Sequence, residues 1–192
     1  MFNLALRESG MPDIAMWERF FDPYAIFEQF ELKNQTISGA DIACGYGTFT
    51  IPLAKLNSGT IYAIDINTDY VSHLEKEINK NGLSNIKIVM SSITDPTFQL
   101  PEQVGYILLF NILHCENCEA LITNAIHSLT NDGKIFVIHW RSDIETPRGP
   151  PLSIRPKIED IIQLMSKFSF KLLKIIPAIS PFHYGISFSR KI

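Results

Sequence analysis

From Ile37 onward the chain alternates short apolar runs with longer stretches in which apolar residues recur every three or four positions, the signature of strands alternating with helices. The first run ends near Cys44, and a helix from about Thr48 to Leu56 follows, with Pro52 near its first turn, where proline is tolerated. Thr60 to Ile64 predicts the next strand, ending in Asp65. Asn67 or Thr68 then caps a helix whose inward face is Val71, Leu74 and Ile78 and whose stop is Gly82. Ile86 to Met90 is a third strand, followed by the polar Ser91 to Asp95 and a loop holding Pro96 and Pro101. Tyr106 to Phe110 and Ile135 to Ile138 are nearly uninterrupted apolar runs, as expected of parallel strands covered on both faces. Between them Leu121, Ile122, Ala125 and Leu129 mark a helix over roughly Asn117 to Leu129, and Asn131-Asp132-Gly133 turns into the fifth strand.

Arg141 to Pro156 carries Pro147, Pro150, Pro151, Pro156 and Gly149 without apolar periodicity, which predicts an irregular loop at the rim of the sheet. Ile158 to Phe168 returns to helical spacing. The last two strands, Leu172 to Ile176 and Tyr184 to Phe188, are separated only by Pro177 to Pro181, too short for a parallel crossover, so the final strand must run antiparallel. At the other end, Ile14, Trp17, Phe20 and Phe21 suit a short helix beginning near Asp13, and Asp22-Pro23 opens a second one from Tyr24 to about Leu32. The expected architecture is α/β: a seven-stranded, mostly parallel, Rossmann-like sheet with an antiparallel last strand and helices on both faces over residues 37–192. Residues 1–36 form a helical extension that packs on the sheet domain or lids its ligand pocket.

With 192 residues and 46% hydrophobic content, the chain fills one domain. A formal net charge of −3 supplies no basic field for a phosphate backbone, which argues against a nucleic-acid partner. Cys44, Cys115 and Cys118, in a chain whose start lacks a basic segment, an apolar run and a cleavage site, predict a reduced, cytoplasmic setting. The apolar runs are strand-sized, far below the roughly 18–20 residues of a membrane span. Cys115-Glu116-Asn117-Cys118 has CxxC spacing, but a four-ligand zinc site needs two further ligands and no second such pair exists, so no metal is expected. Nothing here sets the oligomeric state.

The candidate chemistry starts at Asp41-Ile42-Ala43-Cys44-Gly45-Tyr46-Gly47, a strand end running into a glycine turn and a helix. Asp65 stands at the tip of the second strand, and an antiparallel hairpin closes the chain. Together these features resemble the class I S-adenosylmethionine-dependent methyltransferases over about residues 37–192, and Asp41 to Gly47 matches that family's acidic-x-x-small-Gly-x-Gly pattern, with Cys44 at a commonly small position. The resemblance implies S-adenosyl-L-methionine as cofactor, with Asp41 buttressing the turn and the methionyl end, and main-chain groups of Ala43, Gly45 and Gly47 on the amino-acid part. It implies that Asp65 accepts from both ribose hydroxyls, a task suited to an acceptor-only carboxylate, and that Ile66 packs on the adenine face. Ser92 stands where many relatives carry an acid that reads the adenine amino group, a departure that leaves Ser92, the amide of Ile93, or a shifted Asp95 to do so. Phe110-Asn111-Ile112-Leu113-His114 resembles the loop beside the reactive methyl in small-molecule members, with Asn111 on the cofactor.

A dinucleotide-binding oxidoreductase competes, because Gly45 and Gly47 satisfy two of three fingerprint glycines and Asp65 follows about twenty residues on; Thr50 breaks the third. A non-catalytic cofactor-binding subunit is the other alternative. Ligands of open α/β sheets sit beyond the carboxyl ends of the strands, where His114, His139, Arg141, Asp143, His183 and Tyr184 are expected. Histidine suits a base at neutral pH, so His139 or His183, and less so His114, is expected to orient or deprotonate the acceptor. Arg148 is expected to pair with an acidic substrate group through its planar fork, and Tyr184 to line the same pocket. The fourth strand's tip lacks the Pro-Pro-aromatic tetrapeptide of amino-methylating nucleic-acid and glutamine enzymes, which favours a small-molecule acceptor.

Overall fold

Two aspartates start the architecture in the computed structural model, which describes residues 13–115 and 118–191. Asp13 accepts from Met16 N to cap α1 (Ile14–Glu18), and Asp22 accepts from Ala25 N to cap α2 (Pro23–Gln29), whose Pro23 fits a first turn. Four parallel strands follow: β1 (Gly39–Ile42), β2 (Ile61–Asp65), β3 (Ile86–Met90) and β4 (Val104–Phe110), joined by α3 (Thr50–Leu56) and α4 (Thr68–Asn81). Asn67 caps α4, and Gly82, at φ +62°, ends it in the left-handed region that glycine enters without strain. Then come α5 (Cys118–His127), β5 (Leu129–Trp140), α6 (Ile158–Lys167), β6 (Phe170–Ser180) and β7 (His183–Arg190). The start expected for α5 at Asn117 lies outside the described residues.

The strands lie in the order β3-β2-β1-β4-β5-β7-β6, with β7 antiparallel to both β5 and β6. The helices α1 to α4 cover one face, where Trp17, Phe27, Phe30, Leu53, Phe110 and Trp140 share a core; α5 and α6 cover the other with Leu121, Ile122, Ile161 and Met165. The N-terminal helices are therefore part of the fold's interior: Ile26, Phe27, Phe30 and Leu32 are buried beneath them. Two expected loops prove to be strand. Asn131 to Gly133 lies within β5, at a shift in its register with β4. Pro177 lies within β6, leaving only Pro181 and Phe182 as the turn. A proline is tolerated there because β6 is an edge strand, and the register shift between Ile176 and Ser180 absorbs the lost ladder bond. Among the described residues no helix is long and apolar enough to cross a membrane.

Candidate active site

Where β1 ends, the chain turns through three left-handed residues, Ala43 (φ +56°), Gly45 (φ +55°) and Gly47 (φ +85°). At Gly47 a side chain is excluded twice, by this φ and by Leu74, whose Cδ1 would lie 2.5 Å from an added Cβ. The turn is held from the next strand. Asp65, the last residue of β2, accepts from Gly45 N through Oδ2 at 2.8 Å and from Asn67 N through Oδ1 at 2.9 Å. One carboxylate thus ties the glycine turn to the start of α4, a job that the sequence spacing did not announce. Each oxygen keeps lone-pair capacity for a further donor.

Beside Asp65 opens a shallow groove lined by Ala43, Ile64, Asp65, Ile66, Ser91, Ser92 and Ile93. It gathers five of the residues expected to hold the cofactor. Ile66 is 40% exposed and forms an apolar wall next to the carboxylate. That donor set fits a nucleoside: a flat ring on Ile66 and hydroxyl donors on Asp65. Ser92 Oγ lies 2.9 Å from Thr94 Oγ1 and also accepts from Thr94 N. Asp95 is turned away, accepting from Thr97 N and Thr97 Oγ1, bonds that hold its carboxyl below the usual range. From α5, Asn124 donates to the carbonyls of Ile93 and Asp95 and fixes this segment, a brace that no local motif marks.

Beneath the turn, Asp41 is buried and accepts from Thr50 Oγ1 at 2.6 Å, locking the turn to the first residue of α3. Burial pushes its carboxyl up to about 7; the Thr50 bond opposes this and the charge of Asp65 adds to it. Cys44 is buried beside it, and its thiol is pushed up chiefly by that burial. At the tip of β4, Asn111 adopts φ +57° and donates its N–H to the Ile138 carbonyl at 2.7 Å. Both polar atoms of its side chain are buried without a protein partner, so they are available to a ligand.

The histidines do not converge as expected. The β5–β7 register pairs His139 with Tyr184 and Trp140 with His183, and successive strand residues face opposite sides. His139 joins the α5–α6 side, fully buried, with its Nε2 3.2 Å from His114 Nδ1 and its ring stacked at 28° to Tyr184. Burial first, and then the neighbouring His114, hold it neutral well below the ordinary histidine value. His183 lies on the opposite face, its Nδ1 2.8 Å from Ser180 Oγ and its ring against Trp140 and Phe21, with centroids 4.1 and 4.5 Å away. Burial pushes it down to about 3, so it is a packing histidine and not a base. Tyr184 is buried too, with its hydroxyl donated to the Pro156 carbonyl at 2.7 Å and its pKa raised by burial, which removes it from a substrate role.

Arg148 is exposed, whereas Arg155, missed in the sequence, organises the loop. Its guanidinium donates to the carbonyls of Pro150, Arg141 and Ile144 and to Thr146 Oγ1, and lies 5.5 Å from the Trp140 ring. Arg141 is paired to Asp143 in a bidentate contact. Trp17, Phe20 and Phe21 pack onto Trp140 and His183, closing the β5–β7 part of the rim. Among the described residues no group of three or more His, Cys, Asp or Glu is placed to hold a metal ion.

Residues 34–153 match a family model described as a methyltransferase domain. An (S)-coclaurine N-methyltransferase of Thalictrum flavum subsp. glaucum is 29% identical over 101 residues, 52% of this chain and 27% of the plant protein. A ribosomal protein L11 methyltransferase of Clostridium botulinum is 26% identical over 112 residues, 56% of this chain and 34% of that protein. The matched stretch therefore spans about a third or less of either relative's length. Among solved structures, a SAM-dependent methyltransferase from Aquifex aeolicus superposes with a TM-score of 0.80 at 19% identity, over 93% of this chain and 94% of that one, a likeness of fold.

Proposed function

Since this chain belongs to the methyltransferase domain family, we propose that it binds S-adenosyl-L-methionine and methylates a small-molecule acceptor at the tip of β4. The observation that carries this reading is the Asp65-bridged glycine turn with its adjoining groove, which suits an adenosine, next to the unpartnered amide of Asn111. When bound, the cofactor supplies a methyl group activated by its sulfonium for in-line displacement. Asp65 would accept the ribose hydroxyls, Ile66 would pack on the ring, Ser92 and the Ile93 amide would read its edge, and the main-chain carbonyls of Ala43 and Gly45 would face the amino-acid part, since Gly45 N–H is held by Asp65 and Gly47 N–H by the Cys44 carbonyl. Alignment alone removes up to roughly 7–11 kcal/mol from a barrier of this kind in well-oriented systems.

His114 is the acceptor's base in this reading, and His139 acts through it. We assign Nδ1–H of His114 as donor to His139 Nε2, the tautomer in which Nε2 is the basic nitrogen of the His114 ring; the buried Nδ1–H of His139 is the cost of that arrangement. A small acceptor is supported by the net charge of −3, by aromatic packing over the β5–β7 rim, and by the plant relative named for coclaurine. The L11 methyltransferase relative makes a protein acceptor the competing outcome. A reducing, cytoplasmic setting suits the three thiols.

Calorimetry with S-adenosyl-L-methionine, its demethylated product and nicotinamide dinucleotides tests the cofactor reading, with binding of the first two alone expected. Transfer of labelled methyl to a metabolite library, set against ribosomal proteins and RNA, tests the acceptor. Label entering only the macromolecules would overturn the small-molecule proposal.

A further inference from the structure

Cys115 and Cys118 take no part in the chemistry above, yet they are set side by side. Their Sγ atoms lie 2.7 Å apart, and Cys118 Sγ donates to the Cys115 carbonyl at 3.0 Å. Both are partly exposed, unlike the buried Cys44. Cys118 lies in the first turn of the ten-residue helix α5, where the helix dipole favours an anionic sulfur. The contact with Cys115 holds its thiol below the ordinary cysteine value. An accessible, thiolate-prone sulfur touching a second sulfur is the arrangement that exchanges with low-molecular-weight disulfides.

We propose that Cys115 and Cys118 form a reversible thiol–disulfide site that reacts with small disulfides of the glutathione type. The Cys118 thiolate attacks one sulfur of the reagent; the reagent's S–S bond breaks, a mixed disulfide forms on Cys118, and one reagent thiolate leaves. Cys115 then loses its proton to solvent and attacks Cys118 Sγ, forming the protein disulfide and releasing the second reagent thiolate. The dithiol loses two electrons and two protons, and the reagent is reduced to two thiols. A regulatory consequence rests on the proposed role of His114. Cys115 follows it directly, so the bridge ties the His114 loop to α5 and slows methyl transfer. The cofactor groove, built at the tips of β1, β2 and β3, is left intact.

The full chain is equilibrated with oxidised and reduced glutathione at varied ratios, quenched in acid, alkylated and mass-mapped. The expected result is a Cys115–Cys118 disulfide that forms with oxidised and reopens with reduced glutathione, while Cys44 is alkylated only after unfolding. Cys115→Ser should stop at an adduct on Cys118, and Cys118→Ser should react about tenfold more slowly. Wild-type thiols that stay alkylatable at every ratio, or Cys118→Ser reacting as fast as wild type, would overturn the site. Unchanged methyl transfer in the bridged protein would overturn the regulatory consequence. Absence of cofactor binding in both redox states would overturn the methyltransferase reading and leave the thiol site standing.

Discussion

Asp41→Asn changes the pH dependence of folding in a direction that burial dictates. Asp41 is 2% exposed, and its carboxyl is raised from an ordinary 3.8 to about 7. The unfolded chain therefore releases this proton near pH 4 and the folded chain only near pH 7, so stability is greatest below the lower value and is lost as pH rises through the higher one. Integrated over that gap, the loss is about 4 kcal/mol, of which about 3 kcal/mol falls between pH 5 and pH 8. An asparagine keeps an acceptor for Thr50 Oγ1 and mimics the protonated acid at every pH. Urea unfolding of both proteins without cofactor, followed through Trp17 and Trp140 fluorescence, should show the variant gaining on wild type by about 3 kcal/mol over this range. That corresponds to a relative shift in midpoint of roughly 1–3 M urea. His139 and His183 titrate alike in the two proteins and cancel in the difference. Parallel stability profiles, or wild type gaining on the variant as pH rises, would refute the reasoning.

Asp65→Ala removes two charge-assisted acceptors, so the cofactor Kd measured by calorimetry should weaken by about a hundredfold or more; an unchanged Kd would remove Asp65 from the site. His114→Ala should lower kcat by about 10²- to 10⁴-fold with the cofactor Kd unchanged, measured by steady-state methyl transfer and calorimetry. His183→Phe tests the opposite pH limb. Its neutral form is favoured down to about pH 3, so wild-type stability is lost as pH falls below about 6.5, and the variant should gain about 2 kcal/mol on wild type between pH 7 and pH 5 in urea unfolding. Arg155→Ala strips donors from three carbonyls and Thr146 Oγ1 and should destabilise the fold by about 3 kcal/mol, whereas Arg148→Ala should stay within about 0.5 kcal/mol, both read from urea midpoints.

The meeting of the glycine turn with Asp65 was readable because it is local. A glycine turn must follow its strand, and an acid at the tip of a neighbouring parallel strand must stand beside it, so Gly45, Gly47 and Asp65 meet once the strands are in register. The grouping of the rim histidines was not, because it depends on which face each strand residue takes. His139 and His183 sit on adjacent strands at one rim, yet the β5–β7 register sends them to opposite cores, and His114 joins His139 across a sequence separation of 25 residues. Arg155 and Asn124 escaped notice for a related reason: their partners, Thr146 Oγ1 apart, are main-chain carbonyls, and a carbonyl has no sequence identity.

The sequence alone determined the α/β alternation, the antiparallel last strand and the glycine turn at the tip of β1, since periodicity, turn length and a glycine motif act over a few residues. The tertiary structure alone decided which titratable groups touch, which are buried beyond use, and that Pro177 lies in a strand. Those outcomes depend on strand register and on desolvation by distant packing, neither of which a linear pattern carries.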